Sequence, residues 1–248
     1  MIIRQFNRAE DAKVNLTAYL LSDENDRGQK PCRGGILIFP GGGYHMCSNR
    51  EAEPIAASFL AEGYHAFVLR YSVKEDAPFP KPLEDAEWAL ELLFKHAQEF
   101  QLDKEKIAVC GFSAGGHLAA ALGTMGRVRP QAMILGYPCI LESISPILAA
   151  PVPSLEKEVD DQTPPCYIFT TAEDQTVPVE NSLEFALALS RQNIPFELHV
   201  FEKGRHGLSL AKPQTACGDP HGVNRVFARW LPMCVDWLQA LFGGPYTL

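Results

Sequence analysis

Short apolar runs bounded by glycine, proline or polar residues recur along this chain and alternate with longer segments of helical spacing. Such runs are typical of strands that are buried on both faces of a sheet. We predict strands at residues 12–21, 35–39, 66–69, 107–110, 132–135, 167–170 and 198–201, and helices at 52–62, 83–100, 117–125, 179–191 and 225–242. Strands that alternate with helices form a mostly parallel sheet with helices on both faces. The pattern therefore predicts an α/β fold.

The length of 248 residues fits one domain, because single α/β domains commonly reach about 250 residues. We expect one domain over residues 1–248. Residues 138–165 lie between two predicted strands and are rich in proline, so they have room for a loop or a small helix but not for a large lid domain. Residues 22–33 are polar and are predicted to be a turn.

Charge and cysteine content exclude several classes of protein. The formal net charge is −8, and an acidic surface repels the phosphates of nucleic acids and of anionic membranes, so we expect neither partner. The seven cysteines form no CxxC pair, which favours reduced thiols over a disulfide framework or a zinc site.

The sequence shows no secretory leader pattern and no apolar run of the ~18 residues needed to span a bilayer. We expect a cytoplasmic protein.

The sequence Gly-Phe-Ser-Ala-Gly at residues 111–115 lies between a predicted strand and a predicted helix. A tight strand-to-helix turn holds the hydroxyl of Ser113 clear of the backbone, and glycines on either side permit the close approach of strand and helix. The start of the helix also directs backbone N–H groups into the site, where the helix dipole favours negative charge. This context predicts that Ser113 is a nucleophile. The alternative is a glycine-rich turn that carries an incidental serine.

A second glycine-rich segment, Pro-Gly-Gly-Gly-Tyr at residues 40–44, directly follows a predicted strand. Its uncovered N–H groups suit an oxyanion hole, in which Ala114 and either Gly42 or Gly43 would donate to a tetrahedral oxyanion. The alternatives are a flexible loop and a phosphate-binding loop. The G-x-x-x-x-G-K-[ST] and G-x-G-x-x-G patterns are absent, which disfavours the phosphate-binding alternative.

An acid and a base also follow predicted strands: Asp174 follows one and His206 follows the next. Because parallel strands end at the same edge of a sheet, Ser113, Asp174 and His206 can meet despite their separation along the chain. In that arrangement Ser113 attacks the substrate, His206 transfers its proton, and Asp174 holds the imidazole in the correct tautomer. Glu173 is the alternative acid and His221 is the alternative base.

The remaining candidates are expected to line the substrate pocket or to have structural roles. Tyr44 and His45 adjoin the glycine loop and are candidates for the substrate pocket. His117 lies four residues after the serine and is expected to cap or pack. The histidines expected to be structural are His65, His96 and His199. No H-x-x-x-H pair or paired carboxylate accompanies them, so we expect neither a metal nor a cofactor.

Together these motifs resemble those of the α/β-hydrolase superfamily, and more narrowly those of the small bacterial acetyl esterases called acetylxylan-esterase-like. The resemblance spans residues 34–237 and rests on the segments PGGGY (40–44), SNREAEPIA (48–56), FVLRYSV (67–73), GFSAGGHLAA (111–120), EDQTVPVENS (173–182) and GRHG (204–207). It implies a single-domain α/β-hydrolase fold without a large lid. It also implies that Ser113 is the nucleophile, Asp174 the acid and His206 the base. The implied backbone donors are Gly42, Gly43 and Ala114.

Pro40 stands where the related lipase-like esterases carry a histidine before the glycines. The oxyanion donors are backbone groups, so this departure leaves the chemistry intact but weakens any transfer of substrate preference from those enzymes.

We expect a serine carboxylesterase that removes short acyl groups, acetyl above all, from a small-molecule ester, with water as the second substrate. Acetylated xylo-oligosaccharides, other acetylated sugars and artificial acetyl esters are all candidate substrates. The alternatives are an amide hydrolase similar to arylformamidases or peptidases and, from another class, a non-catalytic binding protein on this scaffold.

Overall fold

The computed structural model describes residues 1–22 and 31–247. The strands in these ranges are β1 (Ile2–Arg8), β2 (Asp11–Leu20), β3 (Cys32–Phe39), β4 (His65–Arg70), β5 (Leu102–Phe112), β6 (Ala132–Gly136), β7 (Cys166–Thr171), β8 (Phe196–Phe201) and β9 (Tyr246–Thr247). The helices are α1 (Glu53–Ala61), α2 (Lys81–Lys95), α3 (Ala97–Phe100), α4 (Ala114–Met125), α5 (Glu180–Arg191), α6 (Pro213–Ala216) and α7 (Trp230–Phe242).

All of these strands belong to one sheet, in the order β1-β2-β4-β3-β5-β6-β7-β8, with β9 paired to the start of β3. The β1–β2, β2–β4 and β3–β9 pairs are antiparallel, and every neighbouring pair from β4 to β8 is parallel. The predicted α/β class with a mostly parallel sheet is confirmed. Because β5, β7 and β8 run in the same direction, the residues that follow them emerge at one edge of the sheet.

Two apolar cores lie on the two faces of the sheet, and β3 contributes to both. Leu37 and Phe39 belong to the core that contains the buried faces of α2, α4 and α5. Ile36 and Ile38 belong to the core beneath α1 and α7. These side chains are fully buried, and burying each one stabilises the fold by roughly 1.5–3 kcal/mol. The apolar run at residues 36–39 of β3 is therefore buried on both faces at the centre of the sheet.

The edge strand β1 is an element that the sequence pattern does not reveal. Its residues are exposed or half-buried, and Ile2 and Ile3 are 45% and 57% exposed. β1 is held by backbone pairing with β2 over Ile2–Arg8. Because β1 buries no residue fully, hydrophobic periodicity does not mark it.

Two predicted helices differ from the observed ones. The helix predicted at 83–100 is divided between α2 and α3 at His96, whose φ of −97° and ψ of 11° are not helical. The helix predicted at 225–242 begins at Trp230, because Phe227–Arg229 forms a 3-10 turn instead. The backbone N–H of Phe227 donates to Asn224 Oδ1 at 3.0 Å and fixes that turn.

Of the predicted turn at 22–33, residues 23–30 lie outside the described ranges, and Cys32 and Arg33 already pair with β9. The segment 138–165 contains the short 3-10 turns Glu142–Ile147 and Leu155–Lys157, in agreement with the prediction that it holds no large lid. None of the helices in the described ranges has the length and apolar character to cross a membrane.

Candidate active site

Ser113 occupies a strained turn between β5 and α4. Its φ of +53° is unfavourable for any residue other than glycine, and its ψ is −119°. A Cβ at Gly111 would lie 2.1 Å from the carbonyl oxygen of Gly115, and a Cβ at Gly115 would lie 2.1 Å from the carbonyl oxygen of Phe39. Glycines are therefore required here, because β3, β5 and the start of α4 pack closer than a methyl group allows.

The structure brings Ser113, Asp174 and His206 together at the edge of the sheet. Asp174 lies three residues after β7 and His206 lies five residues after β8. His206 Nε2 lies 2.8 Å from Ser113 Oγ, and His206 Nδ1 lies 2.6 Å from Asp174 Oδ2. Both distances are hydrogen-bond distances, so a proton can pass between the serine and the imidazole.

Asp174 is fixed from its other side by backbone donors. Its Oδ1 accepts hydrogen bonds from the N–H groups of Thr176 and Val177, both at 2.9 Å, and its side chain is 1% exposed. Its Oδ2 is thereby directed at His206 Nδ1, whose proton it accepts. The same contact leaves Nε2 of the neutral imidazole free to accept the proton of Ser113 Oγ.

His206 also packs against the ring of Tyr137, which follows β6. The two ring centroids lie 5.0 Å apart in an edge-to-face arrangement. The Tyr137 hydroxyl donates to Glu51 Oε1 at 2.5 Å and accepts from the N–H of Ser209 at 2.9 Å. Tyr137 therefore ties the loop that carries the imidazole to a buried carboxylate.

Glu51 is a residue whose role sequence reasoning missed. It is 3% exposed, and its second oxygen, Oε2, accepts the N–H of Gly41 at 2.9 Å. Through Gly41 and Tyr137 it joins the glycine loop to the loop that carries the base. The sequence shows Glu51 only as an acidic residue of the SNREAEPIA segment. It does not indicate which residues contact Glu51, because these come from distant parts of the chain.

The glycine loop lies directly against the serine. A Cβ at Gly41 would lie 3.1 Å from Ser113 Cβ, and the carbonyl of Gly42 accepts from the N–H of His45 in a tight turn. Gly42 and Gly43 have φ values of +131° and +64°. Among the described residues, no acceptor engages their N–H groups or that of Ala114, the first residue of α4.

A cavity of about 440 Å³ opens onto Ser113 and His206 and is bordered by the glycine loop. Its lining includes the apolar side chains of Met46, Ile147 and Leu148 and the polar side chains of His45, Arg50 and Thr176. A nucleophile, a base and uncovered amides around one cavity can transfer an acyl group.

Two protein families match successive parts of the chain. The BD-FAE family matches residues 24–137, which include Ser113. The prolyl oligopeptidase family matches residues 149–219, which include Asp174 and His206.

A solved structure is similar to this chain over nearly its whole length. MGS-M1, an alpha/beta hydrolase enzyme from a Medee basin deep-sea metagenome library, is 44% identical to it, with a TM-score of 0.92. The similarity covers 97% of this chain and 98% of MGS-M1. This chain belongs to the α/β-hydrolase family.

Two curated relatives of this α/β-hydrolase are longer proteins. It is 38% identical over 234 residues to endo-1,4-beta-xylanase B from Butyrivibrio fibrisolvens and 28% identical over 226 residues to the acetylxylan esterase of Xylanibacter ruminicola. Each match covers 82% of this α/β-hydrolase, but only 36% of the xylanase and 45% of the esterase. The chain therefore spans less than half the length of these relatives.

The two residues predicted for the substrate pocket lie in different surroundings in this α/β-hydrolase. His45 is exposed and lines the cavity. The expectation for Tyr44 is wrong, because its side chain is fully buried and its hydroxyl lies 3.0 Å from Nδ1 of His117. Nε2 of His117 donates to the carbonyl of Pro153 at 3.1 Å. Tyr44 thus anchors the glycine loop from inside the core.

His117 is buried, as its expected packing role requires. Burial disfavours the imidazolium and lowers the pKa of His117 to about 4. Burial also raises the pKa of the Tyr44 hydroxyl well above its usual value. Both groups are therefore neutral at neutral pH, and their hydrogen bond links the glycine loop to α4.

The alternative acid and the alternative base of this α/β-hydrolase do not contact Ser113. Glu173 is exposed and pairs with Lys203, with 2.6 Å between Oε1 and Nζ. His221 is exposed, and its backbone N–H donates to Asp219. Neither side chain takes part in the contacts around Ser113.

A buried thiol also lies beside the serine of this α/β-hydrolase. Cys139 Sγ is 3.9 Å from Ser113 Oγ, and burial raises the pKa of this thiol to about 12. The thiol is therefore protonated at neutral pH and does not compete as a nucleophile. The described ranges contain no group of histidine, cysteine and acidic side chains that could hold a metal ion.

Proposed function

We propose that this chain is a serine carboxylesterase that removes short acyl groups, acetyl above all, from carbohydrates. The observation that carries the proposal is the continuous hydrogen-bonded chain from Ser113 through His206 to Asp174 beside uncovered backbone amides. The acetylxylan esterase among its relatives supports acetylated carbohydrates as the substrate class.

In the proposed reaction, Ser113 Oγ attacks the ester carbonyl while His206 Nε2 takes its proton. The negative oxygen of the tetrahedral intermediate accepts hydrogen bonds from the N–H of Ala114 and from that of Gly42 or Gly43. His206 then gives its proton to the departing alcohol, and an acyl-enzyme remains on Ser113. A water activated by the same imidazole releases the acid and restores the serine.

The surroundings of each group suit its proposed role. The imidazolium that forms during the reaction lies beside the carboxylate of Asp174, which is buried and therefore weakly screened. The positive end of the α4 dipole lies at Ala114, where negative charge develops. Because these groups are already in place, no reorganisation is required at the moment of reaction.

The cavity favours a short acyl group. It measures about 440 Å³ and must accommodate the alcohol part of the substrate as well. Residues 138–165 form short turns rather than an apolar lid that could cover a long chain. We therefore expect the rate to fall from acetyl to longer acyl esters.

Amide hydrolysis is the second candidate, because the match to the prolyl oligopeptidase family covers Asp174 and His206. An amide needs a proton on its departing nitrogen, and His206 could supply it in the same way. Turnover of N-formylkynurenine and peptide anilides at rates that exceed those of acetyl sugars would favour this candidate over the esterase.

The experiment compares 4-nitrophenyl esters from acetyl to octanoyl and a panel of acetylated mono- and oligosaccharides, with Ser113→Ala as the blank. The proposal expects highest kcat/KM for acetyl esters and a loss of several orders of magnitude in Ser113→Ala. A flat rate from acetyl to octanoyl would refute the short-acyl part. Failure of a fluorophosphonate probe to label the wild-type chain would favour a non-catalytic binding protein.

A further inference from the structure

Arg50 places a positive charge in the cavity, beside the proposed base. It lines the cavity together with Ser113 and His206. A Cβ added at Gly207, the residue after His206, would lie 3.4 Å from Arg50 Nη2. The guanidinium is therefore next to the backbone that carries the imidazole.

This guanidinium has no partner among the residues that the structure describes. Its side chain forms neither an ion pair nor a hydrogen bond with them, and only its backbone carbonyl is used, by the hydroxyl of Ser209. The neighbouring carboxylate of Glu51 is already engaged by Gly41 and Tyr137. None of its five N–H donors is engaged by a described residue, so the guanidinium can donate to a molecule in the cavity.

Several other arginines in the described ranges are paired with carboxylates. Arg70 pairs with Glu53, Arg127 pairs with Glu87, and Arg129 pairs with Asp160. Arg50 is different because this residue is half-buried, lines a cavity and has no ion-pair partner within residues 1–22 and 31–247. A guanidinium in such surroundings binds a carboxylate well, through two parallel hydrogen bonds.

The position of Arg50 identifies the part of the substrate that it would contact. The departing alcohol must lie within hydrogen-bond distance of His206 Nε2 in order to receive its proton. The alcohol part therefore extends past His206 and Gly207, where Arg50 Nη2 lies. The acyl group, by contrast, is held by its carbonyl at the glycine loop.

We infer that the preferred substrates are acyl esters of an alcohol that carries a carboxylate, such as an acetylated sugar acid, and that Arg50 binds that carboxylate. This inference rests on the proposed esterase function and narrows its substrate class. The net charge of −8 repels anions from the molecule as a whole, so a local cation is needed to bind one.

The test compares acetylated glucuronic acid with acetylated glucose, which differ by a carboxylate in place of a hydroxymethyl group. The variants are Arg50→Met, which removes the charge, and Arg50→Lys, which keeps it. Arg191→Met is the matched control, because Arg191 is exposed at the end of α5 and does not line the cavity.

We expect the wild type to have the higher kcat/KM for the sugar acid. Arg50→Met should lower the ratio of the two kcat/KM values by about 10- to 100-fold, as expected when a charge-assisted hydrogen bond is lost. Arg50→Lys should retain part of this ratio, and Arg191→Met should leave it unchanged. Added salt should reduce the ratio of the wild type.

An unchanged ratio in Arg50→Met, or a wild type that prefers the neutral sugar, would overturn the inference. If no ester is turned over, the esterase proposal fails, and binding still tests the inference. Calorimetry of both acetyl sugars with Ser113→Ala and with Ser113→Ala/Arg50→Met would then be decisive. Equal affinity of the two proteins for the sugar acid would reject Arg50 as its binding residue.

Discussion

The proposed chemistry depends on the hydrogen positions that a few side chains impose on one imidazole. His206 can accept the serine proton only if its own proton is on Nδ1, and Asp174 is the acceptor that holds it there. The neighbouring Glu173 has the same charge but pairs with Lys203 on the surface. Two adjacent carboxylates therefore differ in role because of their contacts.

Asp174→Asn should leave the fold intact and lower kcat by about 10³- to 10⁴-fold, because an amide that donates to Nδ1 stabilises the wrong tautomer. Steady-state kinetics with 4-nitrophenyl acetate would measure the loss. Glu173→Gln is the matched control and should retain nearly full activity. Comparable losses in the two variants would show that Asp174 does not orient the imidazole.

At the level of elements, the loops of the site are held together from beneath by Glu51. The glycine loop follows β3, Tyr137 follows β6, and both contact this buried carboxylate. A buried carboxylate is costly unless it is fully hydrogen-bonded. Here each of its oxygens accepts a hydrogen bond, so removing the carboxylate would leave two buried donors without that acceptor.

Glu51→Ala should lower the free energy of unfolding by about 2–5 kcal/mol, because the N–H of Gly41 and the hydroxyl of Tyr137 would be left buried without an acceptor. Urea denaturation measures this change. Glu53→Ala is the control, because Glu53 pairs with Arg70 near the surface and should cost less than about 1 kcal/mol. Equal losses in the two variants would contradict the role assigned to Glu51.

At the scale of the whole molecule, the strong apolar strands made the architecture and the meeting point of the site predictable. Ser113, Asp174 and His206 each follow a strand of one parallel sheet, so sequence order alone placed them at a common edge. The sequence reveals neither the role of Glu51 nor the burial of Tyr44, because contacts between distant loops determine their surroundings. Sequence periodicity reports which face of an element is buried, not which loop covers it.

The pH dependence of stability is a further property of the whole molecule. Burial lowers the pKa of His117 to about 4, from the usual value of about 6.5, so between these values the unfolded chain binds more protons than the folded one. The stabilising contribution is complete above pH 6.5 and is lost as the pH falls towards 4. His117 alone should account for about 3 kcal/mol of this loss.

Urea denaturation at pH 7 and pH 4.5 measures this effect, with His117→Gln as the variant that cannot titrate. The decrease in the free energy of unfolding should be smaller in the variant than in the wild type. The ion pair of Asp160 with Arg129 does not interfere, because it lowers the pKa of Asp160 from its usual 3.8 to about 2, and both values lie below this pH range. Identical decreases in both proteins would mean that His117 is not buried in its neutral form.

In the proposed reaction, Ser113 carries the acyl group during turnover. Rapid acid quenching of the enzyme during hydrolysis of 4-nitrophenyl acetate, followed by peptide mass spectrometry, would detect this acyl-enzyme. We predict an acetyl group on the peptide that contains Ser113 and none in Ser113→Ala. An acetyl group on another residue, or undiminished hydrolysis by Ser113→Ala, would contradict the claim.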